Sequence, residues 1–446
     1  MTSDFLPKLS LDYGQLLMDT NYHDVLIEVG HQPHVKTFKT HSLILRVRCP
    51  FFAAALSSVW VKRDQDMMVI KKPNMSPIIF DVILNGKINI RGWKGSEIME
   101  LLYAADELAL EELADYVQDY LCRQEQWILQ NIFQVLHISF GHASFQKLKK
   151  NCIELVVDNP LLLFDSEQFA QTNEEILMTL LKRDDLVMKE IAIWEGLIQW
   201  GIAQTQMSEE KFTQWSKKHF SALGKTLKKF LPTIRFFQIS SEDIYRKVLP
   251  YRQMLPHQLV EELVNYHRTG LKAGVLPKRI KVDSSIISTK HAIQISYWID
   301  YNRDTQSVYK FKLLFRASRD GFHFTDFHLK CNNQDDVVLV MKVEDNQIFG
   351  GYNPVGWCGS GQNLRATPDS FIFFFDKQLR NPLISRVAVE SMAIKSASSC
   401  GPCFGVNDLA FNDSERPNLC YASKKYYDKR ISEKESFEVK DYEILK

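Results

Sequence analysis

Between Thr40 and Phe52 the apolar pattern of the chain changes period, and that change limits the opening domain to a strand pair feeding two short helices. Upstream, Asp24–Val29 alternates, Gly30–Pro33 has turn chemistry and Val35–Lys39 runs back, which together read as a hairpin. From Ser42 onward Leu43, Ile44 and Val47, then Phe51, Phe52 and Leu56, recur at helical spacing. Pro50 suits the first turn of a second helix and cannot sit inside one continuous helix. Further on, strands are expected at Met67–Ile70 and Ile88–Ile90. Ser76 is expected as an N-cap with Pro77 at the first helical position, and a helical pattern runs from Ser96 to Leu121.

A chain of 446 residues implies two to four domains. Its 45% hydrophobic and 24% charged content is that of a soluble globular protein. A formal net charge of +1 argues against a dedicated nucleic-acid binder. Local basic clusters at Lys147–Lys150, Lys225–Lys229 and Lys278–Lys281 read as solvated helix faces or linker. No signal-type segment or membrane-length apolar run is seen, so membrane insertion is not expected. Eight scattered cysteines fit a reducing cytoplasmic or nuclear compartment.

Four pieces then combine: Asp24-Val-x-Ile-x-Val, Phe38-x-x-His41, Leu45-x-x-Arg48-x-Pro-x-Phe52, and Leu102-x-x-Ala105-Asp106-x-Leu108-x-Leu110-x-x-Leu113. Jointly they resemble a BTB/POZ domain, placed at 23–122 after an N-terminal segment 1–22. The resemblance implies a mixed α/β unit, homodimerisation, and docking of the cullin-3 ubiquitin ligase scaffold. It also implies a partly buried Asp24–Arg48 charge pair, against the alternative of two unrelated surface charges, and a cullin-facing patch including Phe51, Trp60 and Val61. Two departures stand out: Lys62 occupies the place of an acidic residue in cullin-binding relatives, and Asn85 alone replaces a longer aromatic-rich piece.

Residues 123–270 read as successive short helices, ended by Asn159-Pro160 and punctuated by Leu231-Pro232 and Leu255-Pro256. The segment Trp194-x-x-Leu-x-x-Trp200 followed by Leu231-Pro-Thr-Ile-Arg-Phe resembles a BACK domain, with its tryptophans as core. Glycine, proline and basic residues make 271–282 the expected linker.

Residues 283–446 lack the period of about 50 residues of a kelch array. They are strand-rich instead: Val337–Val343, a turn at Glu344–Asn346, Gln347–Tyr352, Phe371–Phe375 and Val387–Val389. Apolar residues of both parities in Val337–Met341 predict a strand covered on both faces, and two packed antiparallel sheets with helices at the edges satisfy the pattern. Asp320-Gly321, His328, Gly350-Gly351-Tyr352, Trp357, Gly401-Pro402, Phe404-Gly405, Asp408 and Glu443 stand in an order that closely resembles a TLDc domain. That family is associated with oxidative-stress resistance and with the vacuolar proton-pumping ATPase. The resulting fold class is multidomain α+β: a BTB/POZ mixed α/β unit, an all-α BACK stack, and a TLDc antiparallel β-sandwich with flanking helices.

Two constellations invite chemistry. His323 and His328 lie near Asp320, Asp326 and Cys331, but this spacing matches no established zinc motif, which favours structural histidines. Cys400-Gly-Pro-Cys403 spells a thioredoxin-type pair, yet no βαβ pattern surrounds it, so redox catalysis is not expected; a reversible disulfide is the milder alternative. No catalytic residue, cofactor or metal is expected. The leading reading is a non-enzymatic dimeric adaptor in which BTB and BACK dock cullin-3 and TLDc recruits a client the sequence does not name. Its rival is a TLDc effector that binds the vacuolar ATPase, with BTB only as dimeriser. An enzyme using the TLDc cysteines and histidines ranks last.

Overall fold

The change of period at Thr40 is a physical corner in the computed structural model. This structure describes residues 8, 12, 14–16, 19, 21–57, 62–64, 67–86, 88–205, 215–269, 276–301, 307–359 and 363–446. It divides into two units, Met1–Val156 with Leu161–Ile176, and Val157–Pro160 with Leu177–Lys446.

In the first unit β1 (Val25–Val29) and β2 (Lys36–Thr40) form the expected antiparallel hairpin, Ile27 opposite Phe38. β3 (Lys62–Asp64) and β4 (Met67–Lys72) complete a sheet of order β2-β1-β4-β3, with β1 and β4 parallel. The helix Ser42–Arg48 stops at Cys49, whose extended backbone (φ −138°) lets Pro50 open the helix Pro50–Ala55. Phe38, Phe52 and Phe80 meet edge to face under these helices, an arrangement that adds to the burial of their area. Ser76 stands at the N-cap of Pro77–Asn85, although its side chain makes no capping bond. That helix ends at Gly86, left-handed at φ 64°, whose N–H donates to the Val82 carbonyl. Ile88–Ile90 is not a strand: the three residues pair with no ladder, and Ile90 is simply buried. Helix Gly95–Glu107 packs against Glu111–Cys122 and Pro77–Asn85, and further short helices follow.

The second unit contains the helices Glu190–Gln204, Lys217–Leu227 and His257–Thr269. Trp194 and Trp200 are core, as expected. The Trp194 indole donates to the Lys247 carbonyl at 3.0 Å and meets Phe236 edge-on, and Trp200 meets Phe230.

From Ile280 the unit turns to β-structure. β5 (Ile280–Val282) pairs in parallel with β6 (Tyr309–Phe311). One sheet runs β12 (Leu383–Arg386), β11 (Phe371–Phe375), β9 (Ile348–Asn353), β8 (Val337–Lys342), β18 (Asp441–Leu445), β7 (Leu313–Arg316). The other runs β10 (Asn363–Arg365), β13 (Ile394–Ser396), β14 (Cys403–Phe404), β15 (Leu409–Ala410), β16 (Leu419–Tyr421), β17 (Ser436–Glu438). β8 is covered on both faces. Val337, Leu339 and Met341 join the core that includes Trp357 and Phe404, while Val338 and Val340 join the core that includes Ala292 and Ile295 of the helix Thr289–Ile299. The strand expected at Val387–Val389 sits earlier, at β12. Val387 contributes one isolated bridge to Tyr427, because the chain there leaves the sheet to reach the turn at Glu390–Met392.

Candidate functional site

On the first unit the corner helix presents an exposed apolar face. Leu43 and Val47, one turn apart, are 69% and 79% exposed, whereas Ile44 and Leu45 on the same helix are buried. A groove of about 810 Å³ opens beside it, with Arg48, Pro50, Ile83, Leu84 and Tyr116 in its wall. Exposed apolar side chains mark a contact surface when they form part of a larger contiguous patch.

The Asp24–Arg48 charge pair does not form. Asp24 accepts hydrogen bonds from the Ser42 backbone N–H (2.7 Å) and hydroxyl (2.5 Å), capping Ser42–Arg48 from outside. Arg48 closes the same helix, about 9 Å further along at 1.5 Å per residue. Its guanidinium lies against Gly86, where an added Cβ would stand 2.5 Å from a terminal nitrogen. Each charge therefore sits at the helix end that complements it. Of the cullin-facing residues, Phe51 is half-buried with the Lys72 ammonium 3.4 Å from its ring centre, and Lys72 also donates to Glu107 at 2.8 Å. Trp60 and Val61 lie outside the described residues.

The TLDc-type residues are almost all structural pins. Glu443, fully buried on β18, accepts from Arg316 Nε (2.7 Å), the Ser285 N–H (3.0 Å), the Ser285 hydroxyl (2.8 Å) and the Ser284 hydroxyl. Burial raises its carboxyl pKa, but these donors together outweigh it and hold the group below the ordinary range. Asp320 takes hydrogen bonds from Arg319 and Lys330, and the first of these does most to hold its carboxyl far below the usual value. Gly321, at φ 114°, lets the chain turn over Asp326. Gly350 and Gly351 face Leu339 O with Phe373, and the Phe404 ring, at distances no Cβ could tolerate. Tyr352 donates to Asp336 at 2.6 Å, and the Trp357 indole reaches the Cys403 carbonyl at 3.4 Å. Asp408 Oδ1 accepts from the backbone of Lys425, Tyr426 and Tyr427 (2.6, 2.9 and 3.2 Å). Its Oδ2 has no partner and lies against Gly405. Gly401 donates to the Phe411 carbonyl, and Pro402 O accepts from Phe411 N–H.

The histidine constellation is not brought together as a catalytic group. His328 is buried, its Nε2 donating to the Ala397 and Cys400 carbonyls (3.0 and 2.9 Å) and its Nδ1 against Asn332. Neither nitrogen is left for a proton transfer or a metal. His323 is exposed and caps the helix Phe324–Cys331 by accepting from Thr325 N–H. Among the described residues, no group of three or more His, Cys, Asp or Glu is placed to hold a metal ion. No described helix is long and apolar enough to cross a membrane.

A buried ion cluster escaped the sequence reading. The basic run Lys278–Lys281, expected to be solvated linker, places Arg279 at 4% exposure. Arg279 donates to Glu190 Oε1 (2.6 Å) and to the carbonyls of Leu181 and Thr233 (both 2.9 Å). Arg235, also buried, pairs with Asp184 and donates its own backbone N–H to Glu190 at 3.1 Å. Lys281, with Lys310, pairs with Asp158 at 2.8 Å. Of the expected linker 271–282, residues 271–275 lie outside the described residues, and 276–282 carry these anchors. Strand alternation gave no signal, since Arg279 and its neighbour Ile280 are both buried.

Known family models match in succession: the BTB/POZ domain over residues 13–125, BTB And C-terminal Kelch over 132–215, and the TLDc domain over 280–446. BTB/POZ domain-containing protein 9 of Bos taurus and of Homo sapiens are each 25% identical over 201 residues, 44% of this chain and 32% of the relative. A putative BTB/POZ domain-containing protein of Acanthamoeba polyphaga mimivirus is 23% identical over 223 residues, 49% of this chain and 76% of that protein. The matched region thus spans about a third of the length of the first relatives, 32%. Modules of these three kinds are typical of interaction proteins. The chain carries a BTB/POZ domain, a BACK domain and a C-terminal TLDc domain in succession.

Proposed function

We propose that the protein is a homodimeric adaptor of a cullin-3 ubiquitin ligase. Its BTB domain pairs with a second copy, BTB and BACK dock the scaffold, and the TLDc domain holds a client in a cytoplasmic or nuclear setting. The observation that carries this reading is the exposed Leu43–Val47 face beside an open groove on the BTB unit. Ubiquitin transfer is left to the partners. The TLDc match over 280–446 supports a second reading, in which this region binds the vacuolar proton-pumping ATPase and BTB only dimerises. Affinity capture of the full chain from cell extract, scored for cullin-3 and for ATPase subunits, separates them. Cullin-3 without ATPase subunits supports the adaptor; ATPase subunits without cullin-3 replace it with the second reading.

A further inference from the structure

Cys400 and Cys403 flank the turn from β13 to β14. Cys403 opens β14, opposite Lys395 on β13 and Ala410 on β15. With Ala397, Cys400 and Ala410 it makes a small buried cluster of its own. The backbone of the turn has contacts of its own, and each sulfur adds one to a carbonyl, Cys400 to Ala397 (3.4 Å) and Cys403 to Phe411 (3.8 Å). Cys400 N–H donates to the Ala397 carbonyl (3.2 Å), Gly401 N–H to Phe411 O (2.8 Å), and His328 bridges the Ala397 and Cys400 carbonyls. Gly401 is wedged so that a Cβ would stand 3.0 Å from Phe411 and 3.1 Å from Phe324. A turn fixed in this way holds both cysteines in one small buried cluster. Both are free. Ser398 and Ser399, immediately before Cys400, are exposed, so the pair lies just beneath the surface.

The two sulfurs are unequal. The Cys403 side chain beside it, against the effect of burial, brings Cys400 down to about 7, helped by Lys395 and His328, while the Cys403 thiol itself donates to Asn412 Oδ1 at 3.2 Å. Burial first, then the neighbouring Cys400 side chain, pushes Cys403 well up. Cys152 and Cys331, by contrast, are pushed by burial to about 12. One thiolate beside one protonated thiol is the pairing that a nucleophilic and a resolving cysteine require.

We propose that Cys400 and Cys403 form a peroxide-responsive dithiol that closes to an intramolecular disulfide across the β13–β14 turn. The Cys400 thiolate attacks one oxygen of hydrogen peroxide; the S–O bond forms, the O–O bond breaks, and the hydroxide released is protonated to water. Cys400 is now a sulfenic acid, oxidised by two electrons as the peroxide is reduced. The Cys403 sulfur attacks the Cys400 sulfur; the S–S bond forms, the S–O bond breaks, and the departing hydroxide takes the Cys403 proton as a second water. The net change is two thiols and one peroxide to one disulfide and two waters. This is a modification of the chain, not a turnover, and it holds whether or not cullin-3 is the partner.

The test is differential alkylation of the native full-length protein at neutral pH after a timed exposure to hydrogen peroxide, read by peptide mass spectrometry. Cys400 and Cys403 are expected to become protected together, in one peptide carrying an internal disulfide, on the order of tenfold faster than Cys152 or Cys331 oxidise. In the Cys403→Ser variant, Cys400 is expected to accumulate as a sulfenic acid that dimedone captures. Both thiols remaining free, or oxidising no faster than Cys152 and Cys331, or oxidising without an internal disulfide, would overturn the proposal. The wild-type measurement decides even if the variant does not fold.

Discussion

Glu443 is where burial and hydrogen bonding oppose one another most directly. Its carboxylate sits in the core of the TLDc-type region with Arg316, Ser284 and Ser285 as donors, and its pKa is held below the ordinary value. A depressed carboxyl contributes stability above its unfolded pKa and loses it as the pH falls through the folded value. Glu443→Gln removes the charge-assisted bonds and leaves Arg316 facing a neutral amide. At pH 7 it should cost about 3 kcal/mol by the strength of bonds to charged groups. Denaturant unfolding of both proteins across pH checks the sign: the gap should be full at neutral pH and shrink below about pH 4.3. A gap constant down to pH 3 would assign the stabilisation to packing alone. Asp24 makes the complementary point. Its residue type gave no way to choose between a salt bridge to Arg48 and a cap on Ser42. The helix between them decides, because its short rise places the two charges at opposite ends.

Pairing of β8, β9 and β11 depends on the absence of two side chains. A Cβ at Gly350 would stand 2.2 Å from the Leu339 carbonyl oxygen and 2.4 Å from Phe373, and the carbonyl cannot yield without breaking the β8–β9 ladder. Gly350→Ala should therefore destabilise by about 3 kcal/mol, the upper part of the overpacking range. Exchange of the β8 and β9 amides with deuterium should accelerate with it; unchanged protection there would show that the strands can part without cost. The segment 276–282 is held in another way, through Arg279. Arg279→Met keeps much of the volume but leaves Glu190 facing Arg235 alone, and loss of one partner of a buried pair typically costs about 3–5 kcal/mol. Limited proteolysis should begin within 276–282 in that variant and not in the wild type. These elements also show what was legible in sequence. The β1–β2 hairpin, the corner at Pro50 and the two-faced β8 follow from periodicity, which local sequence carries. Val387 was misread because its apolar neighbours suit a strand equally well as a bend, and Ile88–Ile90 because burial alone makes Ile90 apolar. Arg279 was missed because its carboxylate partner lies 89 positions away, and no local pattern reports such a pairing.

For the whole molecule, dimerisation turns on whether the Leu43–Val47 face meets a second copy. Both side chains lie in water on a helix whose opposite side is core. Burying each fully against a partner would contribute about 1.5–3 kcal/mol, enough to matter in an interface though not to make one alone, since stable interfaces bury about 1,600 Å². The groove that Arg48, Leu84 and Tyr116 line supplies adjoining area on the same unit. Because both side chains already face solvent, Leu43→Asp with Val47→Asp should leave the fold and its melting temperature nearly unchanged while placing two carboxylates in the contact. The mass by light scattering should then fall from twice 51.8 kDa to 51.8 kDa. A wild-type chain already monomeric at micromolar concentration would sink the dimer. A double variant that stays dimeric would move the contact to another surface. Cullin-3 capture by the monomeric variant then separates the two roles of the domain: retained capture would place docking away from the corner helix, and lost capture would make pairing a condition for it.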